Sequence, residues 1–328
     1  MTVKSGLGAS IGVATESTYG TYAAVNRFFP FTDEGLKLDQ EYVESGGLQA
    51  GVLAQNAGLV EQTTRRATGT VELDVLTKGM GVLLNQLHGN TVTPTGAGTA
   101  KTQVHEIGET APDGKSLSLQ VGAPDVAGTV QPKTTVGGTV SQVELSMDTG
   151  GILKSTWTID GKDVVFTESL VTPSYPAGFG VFGFRKGTLT LNGAAVGALV
   201  KSASVTIALP KKTDRFGLNG SGTPERPITN EKIAVSGTFR VELSGLTQVN
   251  AYLNATHRAL QLKCLGRTEI ETGVYPEFTI DIPDFIAKDG IPVVAGADVL
   301  EMDVPFTAYA NGTDPLATIT YVSADTTL

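Results

Sequence analysis

Three short strings in this chain carry residue types that do chemistry in other settings. Gly178-Phe179-Gly180-Val181-Phe182-Gly183 fits the G-x-G-x-x-G spacing. That spacing lets a backbone approach a pyrophosphate, but only with a strand before it and a helix N-terminus after it. Here a Pro-rich stretch precedes it and the strand-like Gly187-Thr188-Leu189-Thr190-Leu191 follows, so it reads as a turn. Gly8-Ala9-Ser10-Ile11-Gly12 fits the G-x-S-x-G nucleophile string, which needs a strand-to-helix elbow and later acid and histidine partners. No strand pattern precedes it and no helix pattern follows, so it reads as a flexible Gly-rich arm. Gly96-Ala97-Gly98-Thr99-Ala100-Lys101-Thr102 has Ala100 where a phosphate loop needs Gly.

The titratable candidates are no stronger. His88, His105 and His257 have no metal-ligand spacing to one another or to Cys264. His88 and His257 fall near the ends of two helical patterns, where a positive group meets the negative end of the dipole. His105-Glu106 reads as part of a solvated strand or loop. Asp281 and Asp284 flank Pro283 and form at most a weak cation site. Cys264, the single cysteine, excludes an intrachain disulfide and reads as a small buried apolar residue. The expectation is no catalytic, cofactor-binding or metal-binding residue, no cofactor, and no enzyme.

The elements around these strings explain why they lead nowhere. The 328 residues include 40 glycines and only 6% aromatics. β-Branched residues with many glycines favour short strands joined by tight turns. Apolar/polar alternation marks strands at Lys115–Val121, Thr139–Met147, Ser155–Ile159, Gly187–Leu191, Ala203–Leu209 and Glu277–Ile282. Pro112-Asp113-Gly114, Asp160-Gly161, Asn192-Gly193, Asp289-Gly290 and Asn311-Gly312 punctuate them, and Asp160-Gly161 and Asn192-Gly193 read as hairpin turns. Trp157 lies in an alternating strand with its ring toward the core. The net charge of −9, with no Lys/Arg run longer than two, disfavours tight phosphate binding. Met1–Gly6 lacks the apolar run of a signal peptide, and no stretch approaches the ~18 apolar residues of a membrane helix.

Two segments show the 3.6-residue period of a helix, Leu76 to His88 and Leu246 to Arg258. Gly79 and Gly81 weaken the first by roughly 1 kcal/mol each. These segments also match each other. Val71–Leu83 laid on Val241–Leu253 gives six identities in thirteen positions, and Gly69-Thr70 resembles Gly237-Thr238 if two residues are inserted in the second copy. A strand precedes each match, followed by a long segment without apolar period: Asp39 to Arg66 and Pro210 to Lys232. Connections this long usually have a job. The pattern predicts a tandem duplication, with modules 1–175 and 176–328 and a Pro-containing junction at Val171–Gly178.

The opening Gly6–Tyr22, with its phrase Gly12-Val13-Ala14-Thr15-Glu16-Ser17-Thr18-Tyr19-Gly20-Thr21, followed by Phe28-Phe29-Pro30-Phe31 and by the Gly69-Thr70-Val71-Glu72-Leu73 strand, resembles the tail tube (major tail) proteins of long-tailed, non-contractile bacteriophages. The resemblance covers the first ninety residues or so. It implies antiparallel β-sandwich modules, each with a flanking short helix and long loops. It also implies that strands of neighbouring copies join around a lumen, in stacked rings through which DNA is delivered. The implied partners are the chain itself, a tape measure protein, tail terminator and distal tail proteins, and passing DNA that is not tightly bound. The implied location is the virion, after assembly in the host cytoplasm, with no membrane. With duplication, three chains would give a pseudo-sixfold ring; if only one module builds the tube, six chains. A tail terminator, baseplate or decoration protein is the alternative reading. A carbohydrate-binding sandwich lacks the clustered aromatics it would need.

Overall fold

A computed structural model describes residues 5–294 and 296–328. The chain is mainly antiparallel β. Its strands are β1 (Ser10–Thr15), β2 (Arg27–Phe29), β3 (Asp33–Glu34), β4 (Lys37–Glu44), β5 (Val60–Asp74), β6 (Lys101–Ile107), β7 (Leu117–Pro124), β8 (Val130–Asp148), β9 (Lys154–Gly161) and β10 (Asp163–Val165). They continue with β11 (Gly187–Leu191), β12 (Ala194–Ala195), β13 (Val200–Ala208), β14 (Lys211–Lys212), β15 (Ile228–Thr229), β16 (Ala234–Glu242), β17 (Arg258–Leu265), β18 (Glu277–Ala287), β19 (Glu301–Ala308) and β20 (Ala317–Ser323). The α-helices are α1 (Gly81–Leu84) and α2 (Thr247–Leu253).

All six alternating runs form strands, because alternation gives each an apolar face to bury. One layer is a continuous run β4-β5-β9-β8-β13-β16-β19. The other layer holds β2-β1-β7 with the first half of β8, and β12-β11-β17 with the first half of β18. The long strand β8 therefore serves both layers. One hydrophobic core lies between them, with Trp157, Phe239, Phe278, Phe285 and Tyr321 fully buried. No closed barrel forms among the described residues.

The order of pairing recurs along the chain. β1 pairs with β2 and β7 as β11 pairs with β12 and β17. The β7–β8 and β17–β18 ladders each carry a register shift near one end, at Leu117/Leu119 and Arg258/Leu260. Val75 N–H donates to Leu153 O at the end of β5 as Leu243 N–H donates to Leu300 O at the end of β16. In this register Gly69 lies on Gly237 and Leu73 on Val241. The Gly-Thr match thus runs through the strand without the two inserted residues, and the alignment of Val71 with Val241 is two residues out of step. Backbone geometry fixes the register here. A Cβ on Gly69 would meet Gly35 O at 2.2 Å, and one on Gly237 would meet Ser204 O at 2.1 Å, so each glycine admits a close strand approach.

Four other expectations change. The first helix is a single turn, since Gly79 sits at φ +85 and breaks the periodic run. In α2 the buried residues are Gln248, Val249 and Ala251, while Leu246 and Leu253 are exposed; Arg258 already belongs to β17. Asn192-Gly193 makes its hairpin turn, but Asp160-Gly161 lies at the end of β9, and the chain runs on to β10 along the same side of β8. Finally, Gly8–Gly12 is not a flexible arm. Ser10–Thr15 is a buried strand between β2 and β7. The Met1–Lys4 part of the opening lies outside the described residues.

Candidate assembly surface

The chemical strings stay apart in space. Ser10 is buried in β1 with no histidine beside it. Val181 and Gly183 make isolated bridges to Leu76 and Ile152, and no α-helix follows. Asp281 accepts from Gln261, and Asp284 pairs with His257 at 2.7 Å. Among the described residues no three His, Cys, Asp or Glu side chains group as metal ligands. Cys264 is buried, and burial pushes its thiol up to about 12.

His105 is not solvated. It packs against His88 with Nδ1 3.0 Å from Nε2, both rings fully buried. Burial lowers His88 to about 4 and His105 to about 3, with the Lys115 ammonium adding to both. Two neutral rings share one proton across that contact, one donating and one accepting. The pair ties β6 to the turn after α1. Glu106 is the next residue on a strand and therefore faces the other way, so His105-Glu106 forms no acid–base pair.

What the fold does present is a set of strand edges. Hairpin β13–β16 is closed on its outer side. β8 pairs with β13 from Gln142↔Ala208 to Asp148↔Ser202, and Leu209 N–H donates to Ser141 O at 2.8 Å. This buries Ala203, Val205 and Ile207 against Val143, Leu145 and Met147. The corresponding hairpin β3/β4–β5 has no strand on its outer side among the described residues. Gly35 N–H donates to Thr70 O, so the backbone groups of the next residue, Leu36, point to the open edge. There, Glu34 Oε1 accepts from Leu36 N–H at 2.6 Å and Lys133 Nζ donates to Leu36 O at 2.8 Å, the two side chains forming an ion pair at 2.7 Å. Capping with charges is how an edge avoids indiscriminate pairing. Glu34 and Lys133 escaped sequence reading because they meet only across 99 positions of chain.

The two long segments differ. Asp39 to Arg66 is mostly the ribbon β4–β5, with a tip at 45–59 where Leu48 and Leu53 stand fully exposed. Its lack of apolar period follows from having little to pack on. Pro210 to Lys232 contains the small β14–β15 pair and folds back onto that ribbon, where Arg65 N–H donates to Gly222 O at 2.9 Å.

The layer containing β4 to β19 turns its other face outward. That face is Thr- and Ser-rich, with Glu144, Asp148 and Glu301 exposed on it. Lys201 bridges Glu242 at 2.7 Å, and Arg240 holds Asp303 through two contacts of 2.7 and 2.9 Å. The Arg240 guanidinium keeps the Asp303 carboxyl below the usual carboxylate range.

Among the described residues the chain thus presents a capped open strand edge and an exposed ribbon tip. No helix among the described residues is long and apolar enough to cross a membrane. No curated protein matches the sequence. The model of the family described as phage tail tube protein matches residues 6–308, and the chain belongs to that family, a structural component of the phage virion.

Proposed function

We propose that this chain polymerises into stacked rings that form the hollow tail tube, and that DNA is delivered through the lumen. The observation that carries this reading is the contrast between the two hairpins, one closed by β8 within the chain and one left open. A sheet that ends on a long open edge extends when a second copy supplies the next strand, and a ring of copies removes all such edges. The recurring pairing order supports two tube modules, 1–175 and 176–328, and hence three chains per pseudo-sixfold ring; six chains remain the count if only one module builds the wall.

The polar face of the β4–β19 layer would line the lumen. Carboxylates such as Glu144, Asp148 and Glu301 would repel phosphates, so DNA slides without sticking. The exposed tip at 45–59 would reach the adjacent ring. Tape measure, tail terminator and distal tail proteins would set length and ends, assembly would take place in the host cytoplasm, and no enzymatic step is involved. Negative-stain imaging of the concentrated protein tests the reading. Open-ended tubes with threefold or pseudo-sixfold symmetry are expected. Single rings that never stack would make the chain a ring-only tail component instead.

A further inference from the structure

We infer that the segment Asp289–Val294 is an unpaired half-strand that takes up the open edge of β3/β4 from a second copy, repeating between chains the joint that β8 and β13 make within one. The inference rests on the reading that copies join side by side, and it names the two edges and their register.

β8 supplies the template. Its first half pairs with β7 and its second half, Gln142–Asp148, carries β13. β18 repeats the first half in step: Ile286 and Ala287 pair with Thr307 and Phe306 as Thr139 and Val140 pair with Asp160 and Ile159. Lys288 N–H donates to Pro305 O, and there the ladder stops. Continued in step, residues 289–294 are the counterpart of Gln142–Met147. They carry no strand pairing, and Ile291, Val293 and Val294 are exposed. Asp289 Oδ1 instead accepts from Gly290 N–H at 2.6 Å and Ile291 N–H at 3.2 Å. Val293 lines an open cleft beside Arg240 and Asp303.

The other half of the joint is the edge of β3/β4, the counterpart of β13, since a Cβ on Gly69 would meet Gly35 O as one on Gly237 would meet Ser204 O. Carrying the β8–β13 register across sets Leu38 opposite Gly290, Lys37 opposite Ile291, Leu36 opposite Pro292 and Glu34 opposite Val294. Two details fit this placement. Pro292 has no N–H to donate, and the Leu36 carbonyl it would face is already satisfied by Lys133. The donor at Gly290 is held by its neighbour's carboxylate until an acceptor, Leu38 O, arrives. The occupant is therefore a second copy of this chain. Joining turns exposed apolar coil into strand, which ties the folding of this segment to assembly.

The test is a cysteine pair, Lys37→Cys with Ile291→Cys, oxidised in assembled tubes. In the intrachain joint the counterparts Thr206 and Glu144 face each other without exchanging hydrogen bonds, the geometry in which side chains come closest and a disulfide fits. Cys264 is buried and leaves the background clean. Expected is a ladder of interchain-linked species ending at the ring number, with yield roughly tenfold above the off-register pair Asp33→Cys with Ile291→Cys. Tubes that form normally yet give no excess over the off-register pair overturn the inference and leave the tube reading standing. A helical reconstruction of unsubstituted tubes reads the same point directly; a strand other than 289–294 beside Lys37 overturns it. If the unsubstituted chain forms no tube, both readings fall.

Discussion

Hairpins β3/β4–β5 and β13–β16 share pairing, facing and a glycine at the same close approach, yet they live in different surroundings. The second has β8 along its outer edge and its connection folded down. The first has solvent along its edge, the Glu34–Lys133 pair over one rung, and a tip that projects. The same local pattern therefore gives a finished joint in one place and an unfinished one in the other. The difference lies in what the fold brings alongside each hairpin. The open edge is where the proposed contact between copies would form.

Removing the projecting tip should have the largest effect. Replacing residues 45–59 with a two-residue Asn-Gly turn should leave a folded subunit, since the tip buries nothing of the core, while abolishing tubes. Circular dichroism with negative-stain imaging checks both halves. Normal tubes from that variant would remove the tip from assembly. A sharper contrast comes from matched truncations at the two edges. Ile207→Ala, in the closed joint, should cost the subunit about 2–5 kcal/mol, as fully buried aliphatic truncations do. Leu38→Ala, half-buried at the open edge, should cost about 1 kcal/mol or less in the isolated subunit and should show its effect on polymerisation. Urea unfolding of the monomers measures the first quantity and light scattering the second; equal losses of monomer stability would mean that the open edge is already closed.

A subtler contrast, seen only in acid, concerns the histidines that follow each hairpin. His88 with His105 is buried, whereas His257 is exposed beside Asp284. Burial disfavours the imidazolium, so the unfolded chain binds protons that the folded chain refuses between the ordinary histidine value and about 4. Stability should therefore hold above about pH 6.5 and fall as pH drops toward 4. Unfolding midpoints of H88Q and H105Q across that range check the assignment: both should flatten the acid limb.

Much of this molecule was legible as a string of residues. Alternation at Ser155–Ile159 or Glu277–Ile282 demands a sheet with one buried face, and the resemblance of the opening phrase and of Gly69–Leu73 to tail tube proteins pointed to the family. Local signals misled where long-range contacts decide. Gly8–Gly12 looked loose because its neighbours β2 and β7 lie far off in sequence. His105 looked solvated because alternation says which residues share a face and is silent on which face is covered.

The amino-acid sequence alone was enough to place the six alternating strands, because propensity and periodicity act over a few residues. Only the tertiary structure decided that β8 closes one hairpin and leaves its counterpart open. Edge pairing is a contact between segments with no common local code, and it is settled by where the whole chain places them.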